Sequence, residues 1–396
     1  FFPRNFRYRR AIGGAMAEPE TILSAPEQGA SSPPPAVDAA DLDLNSYSAR
    51  YSGLAKIRRL KLVAERCRSL REEAYRLLLE EYKTGLDTNG YREVCEEAAK
   101  AFPSVSPDEA WISRTETAAA ELQHKLEAEL TGFRSSLDSK AILRGTLALG
   151  DFFLRRGELY QAQRHYLRAR DYTSTPADAV LVYLNVIKMG MWSEEYNLVF
   201  NYIAKAEGSV EAADMAEEAS KVAITSGLAL LSARNYAKAA KKFISAVGSF
   251  PSDFDDLLAP EDVALFVGIL SLASFNRGEL RDLVVENNAF QNLAELLPEV
   301  NQMVSGFYES RYGDCLGTMA RLRSRAELDP YLNDHCEALF KNIRDRCLQQ
   351  YFSTYHSVKF DRMAATFGIS AEEAEERAVE LIADGKLAAR VDSEAQ

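Results

Sequence analysis

The sequence predicts a mainly α-helical chain, a right-handed solenoid of tetratricopeptide-like helical pairs that runs into a helix-turn-helix at its C-terminal side. Three observations predict it. Apolar residues recur at three- and four-residue steps from Ser46 almost to the end, the period of one buried helix face. Two segments carry the small and large residues of a tetratricopeptide-type pair at matching positions. The stretch "KFDRMAATFGISAEEAEERAVELIADGKLAAR" reads as two helices about a glycine turn.

The first residues, "FFPRNFRYRRAIGGA", carry Arg4, Arg7, Arg9 and Arg10 with no acid before Glu18. A transit peptide is one reading. Met16 opens a plausible start, "MAEPETILSAPEQG", so residues 1–15 read better as upstream sequence. From Met16 to Asn45 there is no Lys or Arg, and "SSPPPAVDAADLD" is proline-rich and acidic. Such a stretch buries too little apolar surface to order itself, and a disordered tail is expected over residues 1–45. Beyond it, Ile57, Leu60, Ala64, Cys67, Leu70, Ala74 and Leu78 fall on one face of one long amphipathic helix. Its "KIRRLK" (Lys56–Lys61) could be a nuclear address or a patch for an anionic partner, and is expected instead to be a solvated face.

In "LGDFFLRRGELYQAQRHYLRARDYTSTP", Leu149, Gly150, Phe153, Gly157, Ala162, Tyr166 and Ala169 take the repeat positions. Gly227, Ala239, Phe243, Ala246 and Pro251 take them again in "SGLALLSARNYAKAAKKFISAVGSFP". Small residues let two antiparallel helices approach, and the aromatic fills the gap to the next pair. Between them, "LVYLNVIKMGMWSEEYNLVFNYIAKAEG" reads as a degenerate pair without the small-residue signature. The acidic loop "FPSDFDDLLAPED" is not a calcium loop, because an EF-hand needs a glycine at its sixth position and Leu258 stands there counting from Asp253. After Pro330, Leu332, Cys336, Leu339, Ile343, Cys347 and Tyr351 form one apolar face of a core helix.

No enzymatic chemistry, metal site or cofactor is readable. His124, His165, His335 and His356 are scattered, with no pair at zinc-ligand spacing. There is no phosphate loop, nucleophile elbow or dinucleotide fingerprint. Cys336 beside His335 on a helix would point about 100° away from it, so a nucleophile and its base do not meet there. The five cysteines are widely spaced in apolar patterns and read as reduced thiols, which fits cytosol or nucleus. A net charge of −12 disfavours phosphate binding, and no stretch approaches the roughly 20 apolar residues of a membrane helix. Neither nucleic acid nor membrane is an expected partner.

The closing stretch parses as a strand near Val358, a helix over Phe360–Phe367, a turn at Gly368 and a second helix. Ser370 and Glu373 make a capping box at its start. Gly385 stops that helix, and "LAARV", Leu387–Val391, reads as a strand. The second helix carries Glu372, Glu373, Glu375, Glu376, Glu380 and Asp384 against Arg377. DNA phosphate would be repelled, so this winged helix is expected to dock protein.

Helical repeats feeding a winged helix follow the order of the PCI domain. The stretches "LDLNSYSARYSGLAKIRRLKLVAERC", "FYESRYGDCLGTMARL", "YLNDHCEALFKNIRDRCLQQYFSTYHSV" and "RMAATFGIS" resemble the subunit 1 family of the COP9 signalosome, a likeness running from about Leu42 to Asp392. The resemblance implies a non-catalytic scaffold of the complex that removes NEDD8 from cullin-RING ubiquitin ligases, without cofactor, in nucleus and cytoplasm. It implies subunits 2 and 3 as neighbours, and cullin-RING ligases as partners through the complex. It divides the chain into repeats over 46–260, a PCI helical subdomain over 261–355 and a winged helix over 356–396. The family continues through a second wing strand and a further helix, so the wing is expected to be incomplete here. Carried over, Tyr331, Leu332, His335, Tyr351, Phe352, Met363 and Phe367 are PCI docking or core positions. The related PCI subunit of the proteasome regulatory lid is the near alternative, against which "NSYSARYSGLAKIRRL" speaks. A PCI translation-initiation subunit would be expected to show a basic surface, which the charge opposes, and a winged-helix nucleic-acid regulator is the distant alternative.

Overall fold

Asp43 accepts hydrogen bonds from the backbone N–H groups of Asn45 and Ser46 and so starts α1, Leu44–Ser48. The computed structural model describes Val37 and residues 42–251, 253–355 and 357–391. The Arg-rich leader, Met16, His356 and the last residues up to Gln396 lie outside the described residues. The expected tail boundary at residue 45 falls inside α1, and Val37 is already buried with its N–H bonded to the Arg66 carbonyl at 3.0 Å. Packing against the next helices holds Val37 and residues 42–45 despite the composition.

The single long helix expected after Ser46 is two, α2 (Gly53–Arg66) and α3 (Arg71–Thr84). Cys67 leaves the helical backbone at φ −101°, ψ 109°. Arg71 then turns back, its Nε donating to the Ala64 carbonyl at 2.8 Å and Nη2 to that of Glu65 at 3.2 Å. These carbonyls have no partner inside α2, so the side chain closes the helix end. The apolar period runs through the break because both helices face one core with α4 (Thr88–Ala101). The 28-residue α5, Glu109–Ser136, starts in that core at Ile112 and ends in the next one at Leu130.

Three antiparallel pairs follow: α6 (Ser139–Arg155) with α7 (Leu159–Ala169), α8 (Pro176–Trp192) with α9 (Tyr196–Ala213), and α10 (Ala216–Ser232) with α11 (Tyr236–Ala246). A Cβ on Gly150 would lie 2.5 Å from the Tyr166 ring, and one on Gly227 2.8 Å from that of Phe243. The middle pair is not without such a residue, since a Cβ on Gly190 would lie 2.7 Å from Val199. Its close approach sits next to the turn, which is why the motif spacing misses it. Each pair turns on one left-handed residue: Gly157, Glu194 and Arg234 at φ 73°, 60° and 58°.

Next, α12 (Pro260–Ser274) is apolar all round and accordingly buried on every side. Short helices α13 (Arg277–Leu280) and α14 (Asn288–Ala294) lead to the pair α15 (Pro298–Tyr308) and α16 (Tyr312–Glu327). That pair turns on left-handed Ser310 at φ 65°, so the repeat geometry recurs beyond residue 260. A 3-10 turn over Asn333–His335 opens α17, Cys336–Ser353, later than the expected start at Leu332. The Asp329 carboxylate takes the N–H groups of Tyr331 and Leu332, each at 2.9 Å, and delays the helix. Arg346 on α17 donates to the Leu272 carbonyl at 2.6 Å and to that of Phe275, tying α17 to the end of α12.

The chain closes with α18 (Phe360–Phe367) and α19 (Ala371–Ala383) about left-handed Gly368, φ +68°. Only half of the expected capping box forms: Ser370 accepts the Glu373 N–H at 3.1 Å, while the Glu373 carboxylate pairs with Arg377. The strands expected near Val358 and over Leu387–Val391 are absent among the described residues. After Gly385 the N–H groups of Lys386 and Leu387 return to the Leu381 carbonyl at 2.9 and 3.1 Å. Among the described residues Leu387–Val391 has no facing segment, and a strand exists only as a member of a ladder.

Candidate protein-interaction site

Of the charged run of α2, Lys56, Arg58 and Lys61 are partly exposed, while Arg59 points inward. Arg59 is 1% exposed; its Nη1 reaches Asp329 at 2.6 Å and its Nη2 reaches Asp262 at 2.9 Å. Tyr47 shares Nη1 at 3.2 Å, Tyr51 donates to Asp262 at 2.8 Å, and the guanidinium lies 4.1 Å over the Tyr51 ring. Burial opposes the charge on Arg59, but Asp262 and Asp329 outweigh it and hold the group well above its ordinary range. Burial pushes the Asp329 carboxyl up, against the pull of Arg59. With one oxygen on Arg59 and the other accepting two backbone N–H groups, the carboxylate form is the one the geometry fits. This cluster joins α2 to the first turn of α12 and to the turn before α17. The rest of the run is also engaged: Lys56 pairs with Glu81 at 2.7 Å, Lys61 with Glu97 at 3.2 Å, and Arg58 donates to the Trp192 carbonyl.

Beyond α16 an aromatic cluster seats the last two helices. Phe367 stacks on Tyr312 with centroids 5.6 Å apart and meets Tyr351 edge-on at 5.3 Å. Tyr351 also meets Phe352 at 6.0 Å. A Cβ on Gly313 would lie 2.8 Å from the Thr366 carbonyl oxygen, so glycine there lets α18 close on α16. The two helices leave a groove of about 630 Å³ against α17. Its apolar lining includes Leu316, Phe340, Leu348, Phe367 and Ile369, and Arg323, Arg344 and Arg377 stand at its edge.

Residues 108–283 match the family of 26S proteasome subunit RPN7, and residues 319–396 match the PCI domain. COP9 signalosome complex subunit 1 of Arabidopsis thaliana is 34% identical over 363 residues, 91% of this chain and 82% of that protein. The chain belongs to the COP9 signalosome subunit 1 family. Subunit 1b of Drosophila melanogaster is 30% identical over 90% of the chain and 78% of its own length. The 26S proteasome non-ATPase regulatory subunit 6 of Caenorhabditis elegans is 25% identical over 68% of the chain and 67% of its own length.

In this signalosome-family chain, the seven positions carried over from the resemblance fall into three places. Tyr351, Phe352 and Phe367 belong to the aromatic cluster, and Met363 is fully buried beneath it. Leu332 and His335 are buried at the turn that presents Asp329, with Tyr331 half-buried beside them. His335 Nδ1 lies 3.2 Å from the Tyr236 hydroxyl on α11. Burial lowers the pKa of His335 and pushes the Tyr331 hydroxyl up. Among them Phe367 lines the groove. Sequence reasoning missed Arg59, although a signal was present: it stands four residues after Ala55 and four before Val63, both on the buried face of α2.

Two acids of the loop after α11 are engaged as well. Asp253 pairs with Lys221 at 2.6 Å, Asp256 with Lys188, and Phe254, Leu257 and Leu258 are buried below them. All five cysteines are free and buried. Among the described residues no group of three His, Cys, Asp or Glu side chains could hold a metal ion, and no helix is long and apolar enough to cross a membrane.

Proposed function

We propose that this chain is a non-catalytic PCI scaffold subunit of a COP9 signalosome, supporting removal of NEDD8 from cullin-RING ubiquitin ligases through assembly. The observation that carries it is the 34% identity to signalosome subunit 1 across 91% of the chain, spanning both repeats and PCI region. Its expected neighbours are subunits 2 and 3, it meets cullin-RING ligases through the complex, and it works in nucleus and cytoplasm. Two features support a scaffold. The core runs without interruption from α5 to α19, so a load on the repeats reaches the PCI region. The buried Arg59 cluster fastens the N-terminal helices onto that body.

Affinity purification of the tagged chain from its own cells, with quantitative mass spectrometry, tests this. Signalosome subunits should be recovered together in near-equal amounts. Recovery of proteasome-lid subunits in their place would overturn the assignment.

A further inference from the structure

We infer that the groove between α16, α17 and the α18–α19 turn seats an acidic amphipathic helix supplied by another subunit of the assembly. The inference rests on the scaffold reading and names the chemistry of one partner surface. Gly317 and Ala320 are exposed on the α16 side, and a Cβ on Gly317 would meet nothing within 4 Å. Small residues at a helix surface let a second helix approach closely, since interaxial distance follows the side chains at the contact. Leu316 and Ile369 are half-buried and present the apolar wall that such a helix lays its own stripe against.

Charge selects which helix. Arg323 pairs with Glu327 at 2.7 Å, and Arg377 pairs with Glu373. Arg344 forms no ion pair among the described residues, and its Nε is buried without a hydrogen-bond partner. A desolvated N–H that finds no acceptor is an unreturned cost. Burial, with Arg377 and Arg323 nearby, holds the Arg344 guanidinium below its ordinary range. A carboxylate entering the groove would accept from Arg344 and offset the crowding of like charges. The adjoining α19 exposes Glu372, Glu375, Glu376 and Glu380, which repel a polyanion. One or two acids on an apolar helix fit this setting; nucleic acid does not.

The test uses the full chain co-expressed with the other signalosome subunits and purified through a tag on this chain. Gly317→Leu fills the groove from a helix position with open space around it, and Arg344→Glu reverses the free charge. Each should lower recovery of one neighbouring subunit at least about tenfold, with Arg344→Lys retaining more than Arg344→Glu. A photocrosslinking benzoylphenylalanine at position 317 should mark a helix of that subunit bearing Asp or Glu beside an apolar stripe. Changing that acid to Lys should restore binding to Arg344→Glu. Wild-type recovery of every subunit by both variants would overturn the inference and leave the scaffold reading standing. Crosslinks to nucleic acid, to a second copy or to this chain itself would overturn it too. If the wild-type chain recovers no signalosome subunit, the scaffold reading falls and the inference with it.

Discussion

Replacing Arg59 with Met removes the one cation that holds two buried carboxylates. Asp262 and Asp329 are each 2% exposed and lie 2.9 and 2.6 Å from the guanidinium. Breaking a buried ion pair from one side costs about 3–5 kcal/mol, because the remaining charge is left uncompensated. With two acids stranded together, Arg59→Met should fall at the upper end of that range. The triple variant Arg59→Met, Asp262→Asn, Asp329→Asn removes all three charges and keeps acceptors for Tyr51 and for the N–H groups of Tyr331 and Leu332. It should recover most of the loss, since a neutral replacement of a buried pair is often tolerated. Denaturant unfolding reads this directly, because Trp111 packs in the N-terminal core and Trp192 in the repeat core. In single-tryptophan backgrounds the two transitions should coincide for the wild type and separate for Arg59→Met, with Trp111 exposed first. A loss below about 0.5 kcal/mol, or no recovery in the triple variant, would refute the view that this cluster fastens the N-terminal helices.

Three further outcomes follow from the geometry. Gly150→Ala and Gly227→Ala should each cost about 1–3 kcal/mol by overpacking against Tyr166 and Phe243, whereas Gly208→Ala, with nothing near its Cβ, should stabilise α9 by up to about 1 kcal/mol; denaturation midpoints compare them. His335 and His165 are both held below their ordinary pKa of 6.5, chiefly by burial. Their contribution is complete above that value and is lost as pH falls through the lowered folded pKa, because the unfolded chain takes a proton the folded chain resists. His335→Gln with His165→Gln should therefore narrow the gap between midpoints measured at about pH 7.5 and about pH 5.5. Met363→Glu places a carboxylate at a fully buried site and should cost several kcal/mol, with Phe367→Glu close behind; circular dichroism melts of both against the wild type decide it.

What could be read in advance depended on how local each cause was. Gly150 facing Tyr166 is a steric demand within one helix pair, so residue spacing revealed it. The left-handed turns at Glu194, Arg234 and Ser310 were hidden, because only Gly157 among the four has the residue type that announces such a backbone. The break between α2 and α3 escaped because periodicity reports a shared core and not chain continuity. Arg59 looked solvated because its partners lie 203 and 270 residues away. "LAARV" has the alternation of a strand, but pairing is a property of two segments. At the candidate site, apolar spacing marked Tyr351, Met363 and Phe367 as inward-facing; the unpaired Arg344 above them emerges only when three helices meet.

Reconstitution of the signalosome from purified subunits, with and without this chain, measures the scaffold claim most directly when assayed by cleavage of a NEDD8–cullin conjugate. The chain alone should cleave nothing. Assembly without it should be incomplete and cleavage slow, and adding it back should restore both together. Cleavage by the isolated chain, or an assembly whose composition and rate are unchanged by leaving it out, would contradict a non-catalytic scaffold.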